Sequence, residues 1–113
     1  MNWNKIESEE TLNQINLQSE HADVLVFKHS TRCSISAMAL SRLERNWKEA
    51  ETEHLKPYYL DLLNYRPLSG KIAETYGVEH QSPQILVIRK GKCVYSATHS
   101  DISYDSIIEH SKL

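Results

Sequence analysis

Two four-residue apolar runs, Val24-Leu25-Val26-Phe27 and Ile85-Leu86-Val87-Ile88, constrain this chain more than any other feature. Such runs leave no polar face, so strands built from them must be covered on both sides. The runs are also far too short for a membrane span, which needs roughly 18–20 apolar residues. With 113 residues there is material for one core and no second. Residues 1–113 are therefore expected to form a single α/β domain with helices against a sheet.

The periodicity around the two runs supplies the remaining elements. Ser8 to Gln18 places Leu12, Ile15 and, one step out of phase, Leu17 at near-helical spacing, with Ser8 as N-cap and Glu9 and Glu10 in the first turn. Asp23 to Lys28 reads as a central strand, ending in the capping cluster His29-Ser30-Thr31. From Cys33 to about Glu51, Ile35, Ala39, Leu43 and Trp47 recur every four residues and predict the longest helix. Pro57 to Asp61 reads as a strand, and Arg66 to Tyr76 as a helix with Pro67 near its start and Gly77 past its end. Gln84–Ile88 and Cys93–Ala97 form a hairpin about a Gly91-containing turn, and Ser103 to Lys112 closes the chain as a helix. The βαβ unit requires parallel strands and the hairpin antiparallel ones, so βαβ plus ββα gives a mixed sheet flanked by helices, preceded by an N-terminal helix.

Charge and cysteine usage narrow the function classes. Thirteen Lys and Arg against 15 Asp and Glu leave a formal charge of −2, without the positive excess that attracts nucleic acid or anionic membranes. Neither is expected as a partner. The first ten residues lack the apolar region of a secretory signal, so a cytoplasmic location is expected. In that compartment thiols stay reduced, and Cys33 and Cys93 are not expected to form a structural staple. The histidines at 21, 29, 54, 80, 99 and 110 show no ligand spacing, and no Cys-x-x-Cys pair occurs, so no metal is expected. No Gly-rich phosphate loop is present, and no bound cofactor is expected.

The informative stretch is Lys28-His29-Ser30-Thr31-Arg32-Cys33-Ser34-Ile35-Ser36, which puts a cysteine where a strand ends and a long helix begins. There a thiol meets unpaired backbone N–H groups and the positive end of the helix dipole, both of which favour the thiolate, the species that attacks disulfides. Lys28, His29 and Arg32 are candidate cationic neighbours. Ser36 stands where a Cys-x-x-Cys protein has its resolving thiol; it can donate a hydrogen bond to a thiolate but cannot displace a mixed disulfide, so exchange at Cys33 would be monothiol. The bland alternative is a small buried cysteine, and that reading is the better one for Cys93, which the alternation of a regular strand places on one face with Tyr95 and Ala97. Asp61, Glu74 and Glu79 are read as solvated surface acids.

Thr31-Arg32-Cys33-Ser34-Ile35-Ser36 after a buried strand, Tyr76-Gly77-Val78 closing a helix, and Ser82-Pro83-Gln84 opening a hairpin resemble the thioredoxin superfamily, and within it the YtxJ-type monothiol bacilliredoxins of bacillithiol-using Gram-positive bacteria. The resemblance runs over nearly the whole chain. It implies a thioredoxin-like fold in which Cys33 takes bacillithiol, the co-substrate, from bacillithiolated client proteins, and a low-molecular-weight thiol or redox partner regenerates it. It also implies that Pro83 is the superfamily's cis-proline and that the Ser82 main chain pairs with substrate as an added strand. Thr31, Arg32, Ser34 and Ser36 would then stabilise the thiolate or bind substrate. The family usually has proline directly after the cysteine, where this chain has Ser34. A redox-inert binding module using the groove beside Pro83 is the alternative from another class. An iron–sulfur carrier is a third, although its glutaredoxin relatives carry Cys-Gly-Phe-Ser in place of Cys33-Ser34-Ile35-Ser36.

Overall fold

The computed structural model describes residues 1–111, arranged as β1 (Asn4–Lys5), α1 (Glu9–Gln18), β2 (Asp23–His29), α2 (Ser34–Asn46), β3 (Leu55–Asp61), α3 (Arg66–Tyr76), β4 (Gln84–Arg89), β5 (Lys92–Thr98) and α4 (Tyr104–His110). The sheet order is β1-β3-β2-β4-β5. β1, β3 and β2 run parallel, and β4 and β5 run antiparallel to their neighbours, giving the mixed sheet expected from βαβ plus ββα. The apolar run of β2 lies at the centre, with every residue buried.

Two-sided burial divides the core into two layers. Val24 and Val26 of β2, with Leu86 and Ile88 of β4, pack against Leu12 and Ile15 of α1 and Leu68 and Ile72 of α3. Leu25 and Phe27, with Ile85 and Val87, pack against Ala39 and Leu43 of α2 and Tyr104 and Ile107 of α4. The alternation of the strand does this: odd positions of β2 face α2 and α4, even ones α1 and α3. Capping follows the local chemistry. The Ser8 hydroxyl accepts the Thr11 N–H, the Ser103 hydroxyl accepts that of Ser106, and Gly77 ends α3 with φ of 64°, a left-handed cap that favours glycine. The hairpin turns on Lys90 and Gly91 at φ of 50° and 74°, the pair of left-handed residues that a two-residue hairpin loop requires.

The structure departs from the sequence reading in several places. Leu17, out of phase in α1, is 70% exposed, and Leu12 and Ile15 alone carry the helix into the core. The long helix stops at Asn46 rather than near Glu51. Trp47 there turns to extended backbone and packs edge-on to Tyr104, with ring centroids 5.9 Å apart, while a short 3-10 turn spans Glu49–Glu51. Lys112, the last residue of the expected closing helix, lies outside the described residues, and the helix itself ends at His110. β5 carries a bulge: Tyr95 pairs with Val87 but Cys93 with Ile88, leaving Val94 as the extra residue. Cys93 is thereby turned away from Tyr95 and Ala97, against α3, whereas a regular strand would have kept all three on one face.

β1 was not visible as a strand, because two residues carry no periodicity. It is held by what flanks it. Trp3 lies 5.8 Å from Phe27 and 6.2 Å from Tyr59, ring to ring, and its indole N–H donates to Glu44 at 3.0 Å, while Ile6 is buried on the other face. Trp3→Ala is therefore expected to lower the unfolding free energy by about 2–3 kcal/mol. Asn2→Ala should change it by less than about 0.5 kcal/mol. Urea denaturation followed by circular dichroism distinguishes the two.

Candidate active site

β2 delivers its last residues to the sheet end where α2 starts. After His29 the chain makes one turn, closed by the Cys33 N–H donating to the Ser30 carbonyl at 3.1 Å, and Cys33 becomes the N-cap of α2, its own carbonyl accepting from Ala37 at 3.0 Å. Cys33 is half-buried and carries a free thiol. Thr31, Arg32 and Ser34 are exposed around it, and Ser34 occupies the first helical position where the resembling family has proline. Its N–H is among those at a helix start with no intrahelical partner.

The three polar residues before and after the turn go different ways. Lys28 points to the α1 and α3 side, away from the role of cationic neighbour to Cys33. Its ammonium donates to the Ser69 carbonyl of α3 at 3.2 Å and lies 3.4 Å from His80 Nδ1, which is also 3.0 Å from the Ser69 hydroxyl. Burial pulls the Lys28 ammonium down to about 8, and His80 is lowered by burial and by the Lys28 and Arg66 charges. His29 points the other way, toward α2. Its Nδ1 lies 2.6 Å from the hydroxyl of Ser36, which also accepts the Ser30 N–H at 3.1 Å. Ser36 is fully buried, and its hydroxyl is engaged with His29 and Ser30, whereas the sequence offers it as a hydrogen-bond donor to a Cys33 thiolate.

Asp61 is likewise not a solvated surface acid. It ends β3 in register beside His29, its Oδ2 accepts from Asn64 at 2.7 Å, and its Oδ1 is buried without a hydrogen bond among the described residues. Glu74 and Glu79 are exposed, as read from the sequence. The His29 carbonyl accepts the Leu62 N–H at 2.9 Å, which ties the loop after β3 to the same sheet end.

The antiparallel pairing of β2 with β4, Lys28 opposite Gln84, brings Ser82 and Pro83 to the end of the sheet that carries the Cys33 turn. The Ser82–Pro83 bond is cis. Gln84, buried, braces this loop: its amide donates to the Glu79 carbonyl at 2.9 Å, and its carbonyl oxygen accepts the Gln81 N–H at 3.4 Å. The Ser82 main chain bonds to no described residue, and its buried hydroxyl has no partner among them. The sequence reading missed the Gln84 brace, which closes a loop of no regular period, the Lys28–His80 contact, which joins residues distant in sequence, and the His29–Ser36 bond, which spans the turn. A clue existed only for the last: a polar pair seven residues apart, bracketing the cysteine.

Cys93 stands apart from this end. It packs half-buried against the apolar layer beneath α3, its thiol donates to the Tyr95 carbonyl at 3.3 Å, and burial pushes that thiol up. Iodoacetamide at neutral pH is therefore expected to label Cys33 first, with Cys93 at least about tenfold slower, as peptide mass mapping would read. Lys28 yields a second test. Its native pKa of about 8 lies below the unfolded 10.5, so between these values the unfolded chain binds more protons and stability rises with pH. Wild type should gain about 1–2 kcal/mol across this window, and Lys28→Met should lose the gain, in urea unfolding at several pH values.

Comparison with known proteins agrees with this geometry. The chain matches the family described as monothiol bacilliredoxin BrxC over residues 4–107. A solved structure described as a candidate oxidoreductase with a thioredoxin fold is similar at TM-score 0.79 and 32% identity, covering 94% of this chain and 90% of that one. Thioredoxin from Malassezia sympodialis shares the fold at TM-score 0.78 and 14% identity, covering 96% and 90% of the two chains. Thioredoxin from Trypanosoma brucei brucei does so at 0.73 and 16%, covering 96% and 87%. The architecture is the thioredoxin fold, and the half-buried thiol at the start of α2 sits on it as a thiol oxidoreductase requires; this chain belongs to the monothiol bacilliredoxin BrxC family.

Proposed function

We propose that this protein removes bacillithiol from protein mixed disulfides through Cys33. The observation that carries the reading is the separation of the two cysteines: Cys33 is the N-cap of α2 at the sheet end to which β4 also brings Ser82, while Cys93 is packed beneath α3. The Cys33 thiolate attacks the bacillithiol sulfur of a client disulfide. A new S–S bond forms between Cys33 and bacillithiol as the client's S–S bond breaks, and the client sulfur leaves with the electron pair and takes a proton. Ser36 has no sulfur with which to displace the adduct. A second low-molecular-weight thiol, or the thiol of a redox partner, must therefore attack Cys33–S–S–bacillithiol, restoring the Cys33 thiolate and carrying bacillithiol away in a new disulfide.

The client approaches along the Ser82 main chain, whose unpaired groups suit an added strand. Thr31, Arg32 and Ser34, exposed about the thiol, form the rim that meets the client and the bacillithiol moiety. The chemistry needs no bound cofactor, and it suits a compartment that keeps thiols reduced, the cytoplasm.

Intact mass spectrometry of the reduced protein mixed with a bacillithiolated client tests this. Wild type is expected to gain one bacillithiol on Cys33 as the client is freed, and Cys33→Ser to do neither. A client that stays capped beside an unmodified Cys33 would overturn the exchange reading in favour of a redox-inert binding module.

A further inference from the structure

We propose that His29 is a positioning residue that controls, through the Ser36 hydroxyl, whether the Cys33 sulfur receives a hydrogen bond. The inference rests on the exchange reading of Cys33 and adds a proton path to it. A serine hydroxyl has one hydrogen to donate and two lone pairs. The Ser30 N–H occupies one lone pair of Ser36 at 3.1 Å, and His29 Nδ1, at 2.6 Å, takes either the other lone pair or the hydrogen. These are two distinct states. With Nδ1 bare, the ring accepts the Ser36 hydrogen and nothing remains for the sulfur. With Nδ1 protonated, the ring donates and the Ser36 hydrogen is free to turn to the helix start, where Cys33 is the N-cap and Ser36 the third helical residue, three positions apart and so neighbours along the helix.

The first state suits a Cys33 thiol and the second a thiolate. Passing between them moves one proton: the thiol hydrogen goes to Ser36 Oγ as the Ser36 hydrogen goes to His29 Nδ1, leaving a thiolate hydrogen-bonded to Ser36 and an imidazolium. When the thiolate attacks a mixed disulfide, its electron pair forms the new S–S bond, and the proton held by His29 is released to the departing client sulfur. No atom or electron is unaccounted for.

The surroundings of His29 fit such a role. It is 6% exposed, stacked obliquely on Tyr59 at 5.6 Å and Phe27 at 6.1 Å, so the ring has little freedom to turn away from Ser36. The charged groups that bear on it are Asp61, its register partner on β3, and Glu44 on α2. Burial lowers the imidazole below the ordinary histidine value, and the two carboxylates oppose that. A ring that burial alone would keep neutral thus retains carboxylates to stabilise it when charged, with the buried Asp61 Oδ1 left without a hydrogen bond among the described residues.

Two measurements test this. The first is the rate of Cys33 alkylation by iodoacetamide against pH, read by peptide mass mapping for wild type, His29→Asn, Ser36→Ala and the double variant. Wild type is expected to show a second inflection besides that of the thiol. Each single variant should lose it and react about tenfold more slowly at neutral pH, and the double variant should be no slower than either single one. A wild-type profile shape in His29→Asn, or losses that multiply in the double variant, would overturn the proposal. The second needs no variant: the His29 imidazole is titrated by NMR before and after S-methylation of Cys33, and its midpoint is expected to move, since coupling acts in both directions. An unmoved midpoint overturns the proposal. Alkylation requires no bacillithiol, so failure here leaves the exchange reading standing, and failure of exchange is seen separately in the client assay.

Discussion

All seven residues of β2, from Asp23 to His29, are buried, and burial on two faces sets what each neighbouring element must supply. The apolar middle, Val24 to Phe27, needs only helices on either side. The polar ends need specific partners, because a buried polar group left unpaired costs on the order of several kcal/mol. At the start, Asp23 accepts two hydrogen bonds from Arg89, at 2.9 and 2.7 Å. At the far end the alternation of the strand sends Lys28 to α3 and His29 to α2. Satisfying these two residues fastens both helix layers to the sheet at the point where the Cys33 turn leaves it.

The site inherits its form from that arrangement. Cys33 is presented by a helix start whose third residue, Ser36, is locked to the strand it came from. The cis-proline loop opposite is held by Gln84 from the neighbouring strand, and Lys28 reaches His80 of the same loop from beneath. A thiol oxidoreductase needs an attacking sulfur held steady beside a main chain that a substrate can pair with, and rigid strands position such groups better than loops do. The bulge at Val94 completes the design by turning Cys93 to the opposite layer, so that the two sulfurs belong to different faces of the sheet.

Much of this was legible in local pattern. The two apolar runs, the Ser8 cap, Pro67 and Gly77 about α3, and the Lys90-Gly91 turn each obey a rule that acts within a few residues, and each element they imply is present. Errors arose where a distant partner overrode the local rule. Trp47 keeps helical spacing with Leu43, yet leaves the helix to pack against Tyr104, which comes from the other end of the chain. Trp3 nucleates a strand too short to have a pattern, by meeting Phe27, Tyr59 and Glu44.

By itself the sequence determined the fold class, four of the five strands and the placement of Cys33 at a helix start, because apolar period, turn chemistry and capping are short-range properties written in consecutive residues. The partner of each buried polar group was decided by the tertiary structure alone. Whether Ser36 faces the cysteine or the histidine, whether Lys28 serves the thiol or the cis-proline loop, and which layer holds Cys93 depend on register, on one extra residue in β5 and on contacts between segments as far as 52 residues apart. Such contacts exist only once the two faces of β2 have been covered, since hydrogen-bond direction is set by packed geometry and not by order along the chain.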